Sequence, residues 1–156
     1  MNFAENFEEV LSAFNKHFVD YMVVGGYAVN FHGYERTTSD LDLWVKSTND
    51  NMQKIYSAII EMKFPAVAAV QILKFDLSKP FLFHIGEKPN DVEVFNHINN
   101  VTYEEAELHK IVFNENENLQ VWFISLRDLI VNKMTTGRLQ DAADVDILQK
   151  INQHKT

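Results

Sequence analysis

Asp40 and Asp42 stand one residue apart in Ser39-Asp40-Leu41-Asp42-Leu43-Trp44-Val45, a segment that otherwise reads as a buried strand. Strand side chains alternate between faces, so both acids share one face with Trp44, while Leu41, Leu43 and Val45 take the other. Neighbouring carboxylates repel, and a fold that aligns them suits a bound cation. All-oxygen ligands favour a hard ion such as Mg²⁺. Upstream, the apolar run Tyr21 to Val24 meets Gly25-Gly26 and then a short helical pattern. Free N–H groups and the positive dipole end at a helix start suit a phosphate. Metal and phosphate in one place point to nucleotide chemistry. A second alternating pair lies in Asp91-Val92-Glu93-Val94-Phe95. Asp91 and Glu93 share a face, although Asp91, just after Pro89-Asn90, reads as a turn residue.

The elements that must position these groups follow from periodicity. Phe3, Phe7, Val10, Leu11, Phe14 and Phe18 recur at helical spacing and predict an amphipathic first helix. Tyr21 to Val24 is a strand, Tyr27 to Phe31 a short helix with Gly33 at its stop, and Asp40 to Val45 a second strand. Asn51 to Met62 reads as a helix, with Thr48 or Asn49 as cap. Val67 to Leu77 reads as a strand on its apolar content. Phe81 to Ile85 and Asp91 to Phe95 form a hairpin around Gly86-Glu87-Lys88-Pro89-Asn90. Thr102-Tyr103-Glu104-Glu105 has capping-box spacing before a helix. Ser125 opens a helix through about Thr136, Gly137 breaks it, and Leu139 to Ile151 is the last helix. Interleaved helices and strands predict an α/β (α+β) class, with a small mixed β-sheet flanked by helices. The whole chain, residues 1–156, reads as a single domain.

Composition narrows the function classes. Hydrophobic content of 46% and twelve Phe argue for an ordered fold. The absence of Cys excludes disulfides, thiol catalysis and thiolate metal sites, and fits a cytoplasmic protein. A net charge of −8 disfavours tight nonspecific binding to a nucleic-acid backbone, yet allows a small anionic substrate held through a metal. No run is long and apolar enough for a membrane span, so no membrane partner is expected.

The string Gly25-Gly26-Tyr27-Ala28, His32-Gly33, Arg36, Thr38, Asp40 and Asp42 resembles the active-site motif of the nucleotidyltransferase superfamily related to DNA polymerase beta. It is similar in particular to a bacterial branch of small proteins. That branch is akin to the minimal nucleotidyltransferases and to the nucleotidyltransferase-like toxins of abortive-infection systems. Members of the branch often end in Lys-x-x-x-x-Arg-x-x-Asp-x-x-Asp, and Lys133, Arg138, Asp141 and Asp144 match. The resemblance runs from about Tyr21 to Leu148 and implies a nucleotidyltransferase-like fold. It makes Glu93 the third carboxylate, on the strand before Val101-Thr102-Tyr103-Glu104-Glu105-Ala106. Asp40, Asp42 and Glu93 would then hold one or two Mg²⁺ ions. Gly25, Gly26, Arg36 and Thr38 would meet a nucleoside triphosphate such as ATP or GTP. Lys133 would join the catalytic set by meeting a phosphate or the carboxylates. The implied reaction moves a nucleoside monophosphate onto an acceptor hydroxyl of a small molecule, a protein or an RNA end.

Two departures stand out. Relatives more often carry Asp at the position of Glu93, and many carry Ser at that of Gly26. Both keep a rival in view: an inactive, antitoxin-like module that binds nucleotide or a partner protein. Other residues have plainer readings. His32 packs beside a helix stop, and His84 on its aromatic strand is structural. Arg36 contacts either a triphosphate or a carboxylate. Arg138, Asp141 and Asp144 form a structural or substrate-gating charge network on a helix.

Overall fold

Helix α1 (Glu5–Lys16) follows directly from its apolar spacing. In the computed structural model, which describes residues 1 and 3–153, it buries Phe7, Val10, Leu11, Ala13 and Phe14 along one side. It packs on helix α3 (Asn49–Glu61) and on strand β6 (Leu119–Phe123). Strand β1 (Tyr21–Val24) is buried along its whole length. It runs into helix α2 (Gly25–Phe31), which starts two residues earlier than its apolar pattern predicts. Strand β2 (Leu41–Val45) follows, then α3, whose cap is Thr48: its Oγ1 accepts from the Asn51 N–H at 3.2 Å.

The sheet has six strands among the described residues. They are β1, β2, β3 (Leu82–Ile85), β4 (Val92–Phe95), β5 (Ile111–Asn116) and β6, in the order β3-β4-β2-β1-β6-β5. β2 pairs parallel with β4, and β1 with β6; the other neighbours are antiparallel. The sheet is therefore mixed, and with its flanking helices it has the expected α/β class. Helix α5 (Tyr103–Ala106) begins at Thr102 and helix α6 (Leu126–Lys133) at Ser125; both hydroxyls accept the expected capping bonds. Helix α7 (Leu139–Gln153) closes the described chain and packs on α6.

One expectation about elements needs correction. The stretch 67–77 forms no strand: α4 (Ala66–Ala69) runs into a 3₁₀ helix (Val70–Lys74). Alanine, the best helix former, supplies three of the four residues of α4, and Pro65 presents the first carbonyl, which accepts from the Ala68 and Ala69 N–H groups. The β5–β6 hairpin carries no expectation from the sequence reading. Its signal is present, because Leu119, Val121 and Phe123 alternate after the turn at Glu117-Asn118 and are buried.

Register separates the two faces of the sheet. Tyr21 pairs with Val45 and Val23 with Leu43; Phe14 of α1 meets the Tyr21 ring edge-on at 6.0 Å, so α1 covers that face. Val24 pairs with Asp42 and Met22 with Trp44, so the acids lie on the opposite face. There Trp44 is buried against the Tyr103 ring of α5, 5.1 Å away. Asn51 ties the layers at the far strand ends. Its Oδ1 accepts from the Asp20 N–H at 2.8 Å, and its Nδ2 donates to the Asp20 and Lys46 carbonyls at 3.0 and 2.9 Å. Among the described residues no helix is long and apolar enough to cross a membrane.

Replacing Asn51 with Ala leaves the part-buried Asp20 N–H without its acceptor. The expected cost is about 2 kcal/mol of unfolding free energy, read from urea denaturation. A loss near zero would show that water serves that group.

Candidate active site

The parallel pairing of β2 and β4 sets Asp42 directly beside Glu93, and Leu41 beside Val92. Extending the same register one residue back places Asp40 beside Asp91. On the other side of β4, antiparallel pairing sets His84 of β3 opposite Glu93. One row of side chains on one face thus runs His84, Glu93, Asp42, Val24, and the Asp40–Asp91 pair forms the row behind it.

The carboxylates feel one another. Burial, then the neighbouring Glu93 carboxylate, then Asp40 push the Asp42 carboxyl up to about 8 from an ordinary 3.8, with Lys133 opposing. Burial and the nearby Asp91 and Glu93 also raise Asp40. Asp42 Oδ1 is buried and has no hydrogen-bond partner. A buried, partnerless carboxylate oxygen amid other acids is costly unless a cation or a proton satisfies it. The donor set, Asp40, Asp42 and Glu93, is all oxygen and fits a hard divalent ion.

Glycine at 25 and 26 has a structural cause beside any ligand. Gly25 adopts φ +67°, and a Cβ there would lie 2.1 Å from Asp42 Oδ2. A Cβ on Gly26 would lie 2.2 Å from Thr38 Oγ1 and 2.8 Å from Thr38 Cβ. The bare turn therefore makes room for the Asp42 carboxylate and for Thr38. A serine at position 26 would collide with Thr38.

A cleft of about 360 Å³ opens beside this turn. Gly25, Gly26, Arg36, Thr38, Asp40, Asp42 and Lys133 line it together with residues of α7. Glu93 does not line it; Glu93 reaches the group through its contact with Asp42. Lys133 is buried and donates to Asp141 Oδ1 at 2.8 Å and to Asp144 Oδ2 at 3.1 Å. Arg36 meets a carboxylate: its Nε and Nη2 donate to the two oxygens of Asp144, both at 3.0 Å. Asp144 is fully buried and also accepts from Gln140 Nε2 at 3.1 Å. Asp141 accepts from Thr136 Oγ1 at 2.7 Å. Burial pushes Asp141 up, but the Lys133 and Thr136 bonds outweigh it and hold the carboxyl below its usual range. Arg138 is exposed, with Nε 3.8 Å from Asp141.

Two sequence readings change here. Asp91 is more than a turn residue: it is 2% exposed, and its Oδ2 accepts from His84 Nδ1 at 2.6 Å. His84 accordingly belongs to the acidic row, a role its aromatic neighbours in the sequence concealed. Its signal was the strand alternation that sets it opposite Glu93. His32 is a packed histidine as expected, buried with Nε2 2.8 Å from the Ile124 carbonyl.

Two measurements follow. An unfolded Asp42 ionises near its ordinary value, whereas the folded one holds its proton to about 8. Its stabilising contribution is complete below about pH 4 and is lost as pH climbs through about 8. In chelator the melting temperature should fall over that range, and Asp42→Asn should flatten the fall. Mg²⁺ should raise the melting temperature of the native chain at pH 8 and leave Asp42→Asn unmoved. The second concerns packing. Gly26→Ala should cost about 1–3 kcal/mol through overlap with Thr38, and Thr38→Gly in the same chain should recover most of it. Equal stability of Gly26→Ala and the native chain would remove the packing argument.

Residues 1–154 match the family described as "Nucleotidyltransferase of unknown function (DUF6036)". No curated protein matches the chain. The motif, the mixed sheet and the acidic row beside a glycine turn agree with that match, and the chain belongs to this family of nucleotidyltransferases of unknown function.

Proposed function

We propose that the protein is a metal-dependent nucleotidyltransferase that moves a nucleoside monophosphate from a triphosphate to an acceptor hydroxyl. The observation that carries this reading is the convergence of Asp42 and Glu93 across one parallel strand pair, with Asp40 beside them and a glycine-walled cleft alongside. Asp40, Asp42 and Glu93 would hold Mg²⁺, which when bound supplies charge neutralisation on the phosphates and a more acidic acceptor hydroxyl. The triphosphate lies in the cleft lined by Gly25, Gly26 and Thr38. Lys133 presents its ammonium group to the same space, held in place by Asp141 and Asp144. Arg36, clamped by Asp144, fixes the wall of the cleft and adds positive charge to it. A Glu93 carboxylate oxygen takes the acceptor's hydroxyl proton. The acceptor oxygen bonds to the α-phosphorus, the bond to the bridging oxygen breaks, and pyrophosphate leaves.

The chemistry is soluble-phase nucleotide transfer in the cytoplasm, with ATP or GTP as the donor and a small molecule, a protein or an RNA end as the acceptor. One observation favours a second reading, in which the chain binds nucleotide or a partner protein, as an antitoxin would, without transfer. Asp144 already neutralises both Arg36 and Lys133, leaving less free charge for a triphosphate.

Incubation with nucleotides labelled on the α-phosphate, Mg²⁺ and cell lysate should yield a labelled acceptor. Asp42→Asn should reduce that label at least a hundredfold while the variant stays folded. Nucleotide binding without any labelled product in the native protein would select the second reading.

A further inference from the structure

We propose that His84, Asp91 and Glu93 form a second divalent-cation site, flanking the Asp40–Asp42 pair, that prefers Zn²⁺ to Mg²⁺. Each of these residues offers one ligand atom, and the three atoms lie within 4.8 Å of one another. Donors around a small divalent ion sit about 2.0–2.2 Å from it and so span at most about 4.4 Å. Side-chain adjustments of a few tenths of an ångström close that gap.

Three features argue for a ligand rather than a structural histidine–aspartate pair. First, Asp91 is 2% exposed and its Oδ1 has no hydrogen-bond partner, although Oδ2 is bonded to His84. A pair built for stability would not leave half of a buried carboxylate without a donor. Second, strand pairing fixes all three groups: His84 stands opposite Glu93, and Asp91 is two residues before Glu93 on the same face. Third, the His84 side chain is 41% exposed, so an ion has an open path to it.

The donor set gives the selectivity. Mg²⁺ demands oxygen ligands and an octahedral shell, whereas imidazole nitrogen suits Zn²⁺ and its neighbours in the series. The site differs in this from Asp40 and Asp42, which offer oxygen alone. Glu93 stands between the two groups, next to Asp42 on one side and His84 on the other. The inference rests on these side chains and does not depend on nucleotide transfer.

The test uses the full chain without nucleotide, in millimolar Mg²⁺. Calorimetric titration with Zn²⁺ should show one equivalent bound, and His84→Ala and Asp91→Asn should each weaken it tenfold or more. Circular dichroism checks that the variants fold. In the unmodified protein, nitrogen-detected NMR should show the His84 ring resonances moving on addition of Zn²⁺ and staying put on addition of Mg²⁺ alone. That readout needs no variant and no activity. Zn²⁺ affinity unchanged in folded His84→Ala, or His84 resonances indifferent to Zn²⁺, would overturn the proposal and leave the transfer reading untouched. Loss of labelled product with Zn²⁺ binding intact would do the reverse.

Discussion

Parallel pairing of β2 with β4, in the register that sets Asp42 beside Glu93, forces acids from two strands onto one small patch of the sheet. Like charges at that spacing repel, and the rest of the local structure answers that repulsion. His84 stands on one flank, bonded to Asp91. Lys133 stands on the other, close enough to draw the Asp42 carboxyl back towards ionisation. The glycine turn lets the Asp42 carboxylate lie against the backbone where any side chain would collide with it. The patch is thus assembled by strand register and opposed by the charge of Lys133, which comes from an element distant in sequence and has Arg36 beside it in the cleft wall.

Those cations are themselves anchored. Asp144, without exposed surface, receives the fork of Arg36 and the ammonium of Lys133 at once. An acid that serves two cations keeps neither buried charge uncompensated, which is the condition under which buried ion pairs survive. Lys133 and Arg36 therefore have fixed places in the cleft wall before any ligand arrives.

Much of this was legible in the residues. Alternation in Asp40-Leu41-Asp42 and in Asp91-Val92-Glu93 placed the acids on common faces, and apolar spacing gave α1 and β1. The caps at Thr48, Thr102 and Ser125 marked three helix starts, and all three hydroxyls accept the capping bonds. The limits were also physical. An apolar stretch from Val67 to Leu77 fits a buried helix or a strand equally well, and periodicity alone does not decide between them. The hairpin of β3 and β4 was legible, but its register was not, so the place of His84 opposite Glu93 came only with the structure. Asp91 followed a turn sequence and read as a turn residue, although its carboxylate is buried and bonded to His84. The partner of Arg36 was unreadable for the same reason: the choice between phosphate and carboxylate depended on where α7 docks.

The Arg36–Asp144 contact joins residues 108 positions apart in the chain. Closing so long a loop is slow compared with forming a helix or a hairpin, and its entropy must be met before the contact returns anything. During synthesis the glycine turn and all of the strands emerge well before α7. Until residue 144 leaves the ribosome, Arg36 and Lys133 lack their shared counter-charge and the cleft lacks one wall. The nascent chain cannot present a finished cleft before then, so completion of the cleft marks the arrival of α7.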